Sequence, residues 1–274
     1  MAYRIGIVGT GRVGGALARG LRKGGFPLGR VMATEPRSDW GRRLVPKDLI
    51  IRDCESLFHD CEVLFVCVRS DQVYRLAEQY GKALSEGQSF VSFSAGIELL
   101  EIKRRLLPSG CAVARAIANI NIASGRGVTL IFSASSMQGD ERLNLTCKIL
   151  ERLGTVLRLK TEPELDRISL VSGTLPAIAA IFCDALAASG ARIGVRDEYL
   201  NEIIPAAVHG TLDTMAELGI PASLMAELVA TPGGLVASAS TELERAGFSG
   251  IVRNWLPYIE NTLEQETKKE NADV

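Results

Sequence analysis

Residues 3–25 have the sequence YRIGIVGTGRVGGALARGLRKGG, and this stretch decides the fold of the first half of the chain. It begins with a short run rich in β-branched residues, which predicts a buried strand. The turn GTGRVG follows at 9–14, and the apolar residues after it recur with helical spacing. Strand, glycine turn and helix in this order indicate a dinucleotide-binding site. A glycine turn without a ligand is the weaker alternative.

The three glycines of this turn have different tasks. Gly9 allows the tight turn, Gly11 lets the backbone approach a pyrophosphate, and Gly14 lets the helix pack closely on the sheet. The helix N-terminus offers unpaired N–H groups and a partial positive charge to phosphates. The residues of the turn that we expect to contact a cofactor are Gly9, Thr10, Gly11, Arg12, Val13 and Gly14.

The composition excludes several classes of function. The chain has 274 residues, 47% of them apolar, and a formal net charge of −1. This balance argues against nucleic acid or a membrane surface as a partner. We expect no apolar run as long as a membrane span, and no signal peptide, because the first strand begins almost at once.

Cysteine and histidine usage argues against a metal site. The six cysteines form no CxxC pair and lie mostly in apolar contexts, so we expect free thiols and a cytoplasmic protein. Only two histidines are present. We therefore predict that the protein binds no metal.

The residues after the second predicted strand bear on the choice of nucleotide. Thr34 ends this strand, and Glu35 follows about 20 residues after the last glycine, where dinucleotide folds place the acid that holds the adenosine ribose. Glu35 favours NAD. Arg37 favours NADP, because a guanidinium can hold a 2′-phosphate with two hydrogen bonds. The sequence leaves both cofactors open.

Strand patterns alternate with helical patterns up to about residue 160, and helical patterns alone follow. The segment 60–68, an apolar run bounded by charge, and the similar segment 89–93 predict parallel strands buried on both faces. The alternation predicts an α/β fold, with an N-terminal Rossmann doubly wound parallel sheet followed by an all-α C-terminal domain. We place the dinucleotide-binding domain at 1–160 and the helical substrate and dimerisation domain at 161–274.

One predicted helix in the second half has no polar face. Residues 177–188, AIAAIFCDALAA, contain a single charged side chain. Such a helix is buried on more than one side, and so small a domain would need a partner chain to cover it. We predict a homo-oligomer, a dimer or higher, that assembles through the C-terminal helices.

Two segments of the second half combine hydroxyls, glycine or proline, and an expected helix start. They are VSGTLP at 171–176 and ATPGGL at 230–235. Unpaired N–H groups beside a hydroxyl suit a carboxylate or another small anion. Plain helix capping is the alternative for each segment. We find no catalytic dyad or triad elsewhere, and hydride transfer from a nicotinamide needs none.

Several motifs, taken in order, resemble those of the pyrroline-5-carboxylate reductases, and the likeness extends from end to end. Their combination is more specific than the glycine turn alone. The segments that carry the resemblance are IGIVGTGRVGGALARGL at 5–21, CVRSDQV at 67–73, SFSAGI at 92–97, ARAIANINIASGRGVTLI at 114–131, SGTLPAIAAIFCDALAASGARIGV at 172–195, ELVATPGGLV at 227–236 and LERAGFSGIVRNWL at 243–256.

This resemblance implies an activity and a set of site residues. The family reduces the cyclic imine pyrroline-5-carboxylate to L-proline with NAD(P)H, in proline biosynthesis, and dimerises through interlocking C-terminal helices. Positions that match the family's cofactor contacts are Gly9, Gly11, Val13, Gly14, Thr34, Val68, Arg69, Ala95 and Asn119. Positions that match its catalytic substrate pocket are Ser172, Thr174, Thr231, Gly233 and Gly234.

The substrate pocket departs from the family pattern. Family members have SPGGTT where residues 231–236 are TPGGLV, so Leu235 and Val236 replace two threonines. Loss of a hydrogen bond to a charged group costs about 1.5–3 kcal/mol, although the N–H groups of Gly233 and Gly234 can still hold a carboxylate. The chain also has IANINI at 117–122 where the family has MPNTPA, and SGTLPAI at 172–178 where the family has SGSGPAY. It has Arg69-Ser70 where the family has lysine-proline.

Three functions follow from this pattern. The first is a working imine reductase that tolerates or prefers a larger or less polar cyclic imine. The second is a nucleotide-binding family relative with a regulatory or assembly role and no turnover of pyrroline-5-carboxylate. The third is an unrelated dehydrogenase, such as a 2-hydroxy or 3-hydroxy acid enzyme, which would share only the first domain.

Overall fold

The computed structural model of the protein describes residues 3–34, 39–134 and 139–272. The chain divides into two compact units, Met1–Pro176 and Ala177–Val274. The domain limits expected from the sequence, 1–160 and 161–274, remain a prediction.

The described part of the first unit is built on an eight-stranded sheet with the order β3-β2-β1-β4-β5-β6-β7-β8. Neighbouring strands are parallel except for β6 and β7. The strands are β1 Ile5–Val8, β2 Val31–Ala33, β3 Ile50–Ile51, β4 Val63–Val66, β5 Ser89–Ser92, β6 Ala112–Ala118, β7 Gly127–Phe132 and β8 Gly154–Arg158.

Two hydrophobic clusters form the core of this unit, one on each face of the sheet. Within β4, Val63 and Phe65 belong to one cluster, whereas Leu64 and Val66 belong to the other. Successive side chains of a strand point to opposite faces, so the sheet is covered on both sides. A strand in this environment must be apolar throughout, which explains the continuous apolar runs in the sequence.

The strand β7 is the exception to the predicted parallel sheet, because it runs antiparallel to β6. Residues 119–126 connect the two strands, and they form a short 3-10 helix, Ile120–Ser124. A parallel crossover needs about a dozen residues or more. The connection is too short for one, so the chain turns back.

Helices flank the sheet, and the first of them follows the glycine turn directly. Leu17 and Leu21 of α1 are buried against the core, and Asp53 caps α3 by accepting a hydrogen bond from the N–H of Ser56 at 2.8 Å. The helices before residue 160 are α1 Arg12–Lys23, α2 Asp39–Leu44, α3 Cys54–Asp60, α4 Ser70–Tyr80, α5 Leu99–Leu106 and α6 Glu141–Glu151, and short 3-10 turns occupy Leu28–Arg30, Gly81–Ala83 and Leu107–Ser109.

The boundary between the two units falls inside one long helix, α7, which spans Glu162–Arg192. Helices alone follow it, as the sequence predicts. They are α8 Asp197–Leu218, α9 Ala222–Val229, α10 Leu235–Arg245, α11 Phe248–Arg253 and α12 Trp255–Ala272.

The second unit has almost no core of its own. Among its described residues, Leu200 is the one apolar side chain that is buried. Leu200 packs against Gly190 of α7, where the absence of a side chain makes room for it. A Cβ on Gly190 would lie 2.4 Å from the Leu200 Cδ2 atom. Large apolar side chains remain exposed on every described helix of this unit, including Ile181, Ile203, Leu228, Leu235 and Ile251.

One helix corrects an expectation from the sequence. By length and composition alone, α7 is long and apolar enough to cross a membrane, the one such helix among the described residues. The sequence predicts no apolar run of that length and a helix start at Pro176, whereas the helix continues through this residue. This criterion is weak evidence for a membrane, since a helix covered by other protein on several sides has the same composition.

Candidate functional site

The turn between β1 and α1 requires glycine at two positions. Gly9 has φ of +88°, and a Cβ there would lie 2.6 Å from the carbonyl oxygen of Cys67. A Cβ on Gly14 would lie 1.9 Å from the carbonyl oxygen of Gly9. Such contacts are too short for any side chain, so both glycines are needed to form the turn itself.

Gly11 serves a different purpose, because the space beside it is open. No atom lies within 4 Å of the position that its Cβ would take. Gly11 is also the N-cap of α1, and no side chain caps this helix. The first N–H groups of α1 therefore have no partners within the helix. An open cradle at an uncapped helix N-terminus fits the pyrophosphate of a nicotinamide dinucleotide.

Two threonines fasten this turn to the end of β2. The Gly9 N–H donates to Thr34 Oγ1 at 2.9 Å, and Thr10 Oγ1 donates to the Thr34 carbonyl oxygen at 3.1 Å. Both hydroxyls therefore hold the turn in place. Their predicted contact with the cofactor remains a prediction.

The loops after β4 and β5 lie at the same edge of the sheet as the glycine turn, because β1, β4 and β5 are neighbours. The Ser94 hydroxyl donates to the Val68 carbonyl oxygen and joins these two loops. Arg69 and Ala95 are both exposed there. The strand order reverses beside β1, and ligands of open α/β sheets bind at such a point. The structure thus brings Val68, Arg69 and Ala95 to the cofactor edge that the sequence predicts.

Glu35 and Arg37, the residues expected to select between NAD and NADP, lie outside the described residues.

The half-buried Cys67 next to the turn is a packing residue. Burial raises the pKa of the Cys67 thiol far above its ordinary value, so the reactive thiolate is not formed at neutral pH. All six cysteines are free. Among the described residues, no group of three or more His, Cys, Asp or Glu side chains is placed to hold a metal ion.

Asn119 and Ser172, from the predicted cofactor and substrate sets, are in direct contact in the first unit. The Asn119 Nδ2 atom donates to the Ser172 carbonyl oxygen at 3.1 Å. Pro176 explains this bond: it has no N–H, so the carbonyl four residues earlier in α7 has no donor within the helix. The Asn119 Oδ1 atom accepts from the N–H groups of Asn121 and Val128, each at 3.2 Å.

The Ser172 side chain is buried, and its Oγ atom has no hydrogen-bond partner among the described residues. Thr174 differs, because its hydroxyl donates to the Leu170 carbonyl oxygen at 2.6 Å within α7. The expected helix start at 171–176 is wrong, since these residues lie inside α7. This segment therefore does not offer the unpaired N–H groups of a helix N-terminus. Its candidate for contact with a ligand is the Ser172 hydroxyl, which is buried without a partner.

The other predicted substrate segment, in the second unit, does precede a helix. Gly233 has φ of +74°, and Gly234 is the N-cap of α10, which no side chain caps. The Gly234 N–H donates to the Thr231 carbonyl oxygen at 2.9 Å. Leu235, in place of a family threonine, is 92% exposed. The N-terminus of α10 can accept a small anion.

Sequence reasoning missed one buried charge in the first unit, that of Arg115 in β6. Its side chain is 1% exposed and pairs with Glu162 and Asp166 of α7. An arginine inside the apolar strand AVARAIA is a signal that could have revealed it, because a buried charge needs a partner.

The two halves of the chain match different families. Residues 162–263 match the family model described as pyrroline-5-carboxylate reductase dimerisation. Residues 4–96 match the model described as NADP oxidoreductase coenzyme F420-dependent. The first match indicates a homo-oligomer, and the second indicates a nicotinamide cofactor.

Known proteins resemble the chain over nearly its whole length. Pyrroline-5-carboxylate reductase of Mycobacterium leprae is 25% identical, over 91% of this chain and 92% of the relative. That of Aquifex aeolicus is 26% identical, over 98% of each. The crystal structure of Plasmodium falciparum pyrroline carboxylate reductase with NADP bound has a TM-score of 0.80 at 18% identity, over 93% of this chain and 95% of that one.

These matches confirm the predicted fold class, a Rossmann α/β domain followed by a helical dimerisation domain. They also identify an oxidoreductase that uses a nicotinamide nucleotide. The chain is therefore similar to pyrroline-5-carboxylate reductases over nearly its whole length, and its residues 162–263 match their dimerisation domain.

Proposed function

We propose that the chain reduces a cyclic imine with NADH or NADPH, converting pyrroline-5-carboxylate to L-proline or a related imine to its amine. The observation that carries this proposal is the end-to-end likeness to relatives named pyrroline-5-carboxylate reductase. The open space at Gly11 and the uncapped N-terminus of α1 support the cofactor part of the proposal. The dimerisation domain over 162–263 argues against an unrelated hydroxy acid dehydrogenase.

In this proposal the first unit holds the cofactor. The reduced nicotinamide, when bound, supplies the hydride that the imine carbon accepts. The N-terminus of α1 binds the pyrophosphate, and the ends of β2, β4 and β5 line the rest of the nucleotide. The residues we assign to cofactor binding are Gly9, Thr10, Gly11, Arg12, Val13, Gly14, Thr34, Glu35, Arg37, Val68, Arg69, Ala95 and Asn119.

Two groups of residues, each considered within its own unit, are candidates for binding the substrate. The unpartnered hydroxyl of Ser172 is the group we assign to a hydrogen bond with the bound imine. The backbone N–H groups at the start of α10 are suited to a carboxylate. The residues we assign to the substrate pocket are Ser172, Thr174, Thr231, Gly233 and Gly234.

The replacement of the two family threonines affects which substrates the pocket would accept. Leu235 and Val236 offer no hydroxyl to a carboxylate, and their aliphatic surface favours apolar atoms. We therefore include cyclic imines that are larger or less polar than pyrroline-5-carboxylate among the substrates.

The same replacements favour a second candidate function. A chain that binds the nucleotide but holds the substrate carboxylate too weakly could serve as a regulatory or assembly partner of related enzymes, without turnover of pyrroline-5-carboxylate. An intact nucleotide site without imine reduction would distinguish this function.

The helical half of the chain would form the contacts between subunits. We propose a homo-oligomer, a dimer or higher, joined through the C-terminal helices, because the second unit by itself buries only Leu200 among its described apolar residues. We further propose the domain limits 1–160 and 161–274 and a cytoplasmic location, where the free cysteines would stay reduced.

The experiment is a panel of cyclic imines, with and without a carboxylate, assayed with NADH and with NADPH. Oxidation of either cofactor that depends on an imine supports the proposal, and the rates compare the two cofactors directly. Cofactor binding without oxidation across the panel would favour the regulatory function instead.

A further inference from the structure

The ion pair around Arg115 connects β6 to the first turns of α7. The Arg115 Nη1 atom donates to Glu162 Oε1 at 2.6 Å, and its Nη2 atom donates to Asp166 Oδ1 at 2.8 Å. The Arg115 Nε atom is buried and has no partner among the described residues. A buried charge that is imperfectly satisfied is costly, so its presence calls for an explanation.

Glu162 is the stronger of the two partners. Its side chain is 24% exposed, whereas that of Asp166 is 52% exposed. The Glu162 Oε1 atom also accepts a hydrogen bond from the N–H of Leu99, the first residue of α5, at 2.8 Å. One carboxylate oxygen thus joins β6, α5 and the first residue of α7.

A second contact joins the same strand and helix farther along. Asn119 follows the last residue of β6, and its side chain donates to the Ser172 carbonyl oxygen of α7. The strand advances about 13 Å from Arg115 to Asn119. The helix rises about 9 Å from Asp166, and about 15 Å from Glu162, to Ser172. These lengths agree, so the ion pair and the amide bond fix α7 to β6 in one register.

The register matters because Ser172 ends up buried with its hydroxyl unpartnered. A slip of one helical turn would move this hydroxyl by about 5.4 Å. Asn119 alone offers a single neutral hydrogen bond against such a slip, whereas the arginine fork offers two charge-assisted bonds with fixed directions.

We propose that Arg115 is a positioning residue: through Glu162 and Asp166 it sets α7 in the register that places the Ser172 hydroxyl for the imine substrate. This role rests on the proposed imine reduction. Arg115 itself acts on Ser172 and not on the substrate.

A double-mutant cycle separates positioning from general stability. Arg115→Met removes the charge and keeps an unbranched side chain, and Ser172→Ala removes the hydroxyl that it positions. The matched control is Arg104→Met, which removes an exposed arginine from its 2.6 Å pair with Glu101. The assay uses the best imine of the panel and measures kcat, KM and the affinity for reduced cofactor.

We expect Arg115→Met to lower kcat/KM about tenfold or more, with cofactor affinity and the Arg104→Met variant close to wild type. In the Ser172→Ala background, Arg115→Met should then cause little further loss, because coupled residues are not additive. If the losses of kcat/KM in Arg115→Met and Ser172→Ala multiply in the double variant, the proposal is overturned. A wild-type kcat/KM in Arg115→Met would overturn it as well. If Arg115→Met fails to fold, Glu162→Gln takes its place, since it keeps the side-chain shape and removes the charge.

Hydrogen exchange tests the register without any turnover. Exchange in Arg115→Met or Glu162→Gln should be faster in residues 162–175 and 119–128 and unchanged in residues 5–23. Unchanged exchange in the first two segments would overturn the proposal. A wild-type protein that turns over no imine would overturn the proposed function, while the exchange result would still decide whether Arg115 sets the register.

Discussion

At the scale of single residues, the nucleotide turn depends on what a side chain would meet at each glycine. Gly9 and Gly14 have no room for a Cβ, since backbone atoms lie 2.6 Å and 1.9 Å from its position. Gly11 has room, and we assign its lack of a side chain to the ligand instead of the fold. Substitutions at these positions should therefore fail for different reasons.

The change Gly11→Ala should leave the fold intact and weaken the binding of nicotinamide nucleotide about tenfold or more, which corresponds to about 1.4 kcal/mol. The added methyl group would occupy the space reserved for the pyrophosphate. Titration of cofactor fluorescence measures the affinity, and thermal unfolding measures the fold.

Gly29→Ala is the matched control for this change, because no atom lies within 4 Å of a Cβ there either. It should alter neither quantity by much. Equal affinity of the Gly11→Ala and wild-type proteins would contradict the assignment of the turn.

At the scale of elements, α7 passes through Pro176 because another element supplies the missing hydrogen bond. The Ser172 carbonyl cannot bond to a proline, and the Asn119 side chain donates to it at 3.1 Å. The same amide accepts two backbone N–H groups of the segment between β6 and β7. One buried side chain thus satisfies both the helix and the connection.

The change Asn119→Ala should destabilise the protein by about 2–4 kcal/mol, because it removes the partner of the buried Ser172 carbonyl and of two half-buried N–H groups. Adding Pro176→Ala should recover part of this loss, since an alanine N–H can bond to the Ser172 carbonyl within α7. Denaturant unfolding of the two single variants and the double variant measures the coupling. Strictly additive effects would contradict the link between these residues.

The start of α10 offers a second test at this scale. Replacing Leu235 and Val236 by threonine should lower KM for pyrroline-5-carboxylate about tenfold to a hundredfold, because one or two hydroxyls become available to a carboxylate. The matched control is an imine without a carboxylate, whose KM should not improve. An unchanged KM for pyrroline-5-carboxylate would count against this reading of the pocket.

Sequence patterns predict those elements of the fold that interactions between neighbouring residues determine. The apolar run of β4 and the glycine turn before α1 indicate strand, turn and helix without further information. The sequence misleads at Pro176, where a distant asparagine replaces the lost donor, and at β7, whose direction depends on the length of the preceding connection. The pairing of Arg115 with Glu162 joins residues that are far apart in the chain, and a local pattern does not contain it.

At the scale of the whole molecule, the two units differ in how they are stabilised. The first has a core on each face of its sheet. The second exposes large apolar side chains on all its longer helices, and such surface marks a contact with other protein. The match to a dimerisation domain over 162–263 agrees with this difference.

The change Ile181→Glu should shift the protein toward smaller assemblies, because a charge would be buried where the helices meet a partner chain. Ile181 is 58% exposed in the single chain, and Leu100 of the first unit is 55% exposed. Leu100→Glu is therefore the matched control and should leave the assembly unchanged. Sedimentation velocity measures both; a wild-type protein that is monomeric, or an Ile181→Glu protein of unchanged size, would contradict the proposed assembly.

The claim that the protein reduces an imine can be checked by measuring the oxidation of NADH or NADPH by the purified protein across the imine panel. We predict oxidation that depends on an imine and falls at least about tenfold in Gly11→Ala under subsaturating cofactor. No oxidation with any imine, by wild-type protein that binds the cofactor, would contradict the claim.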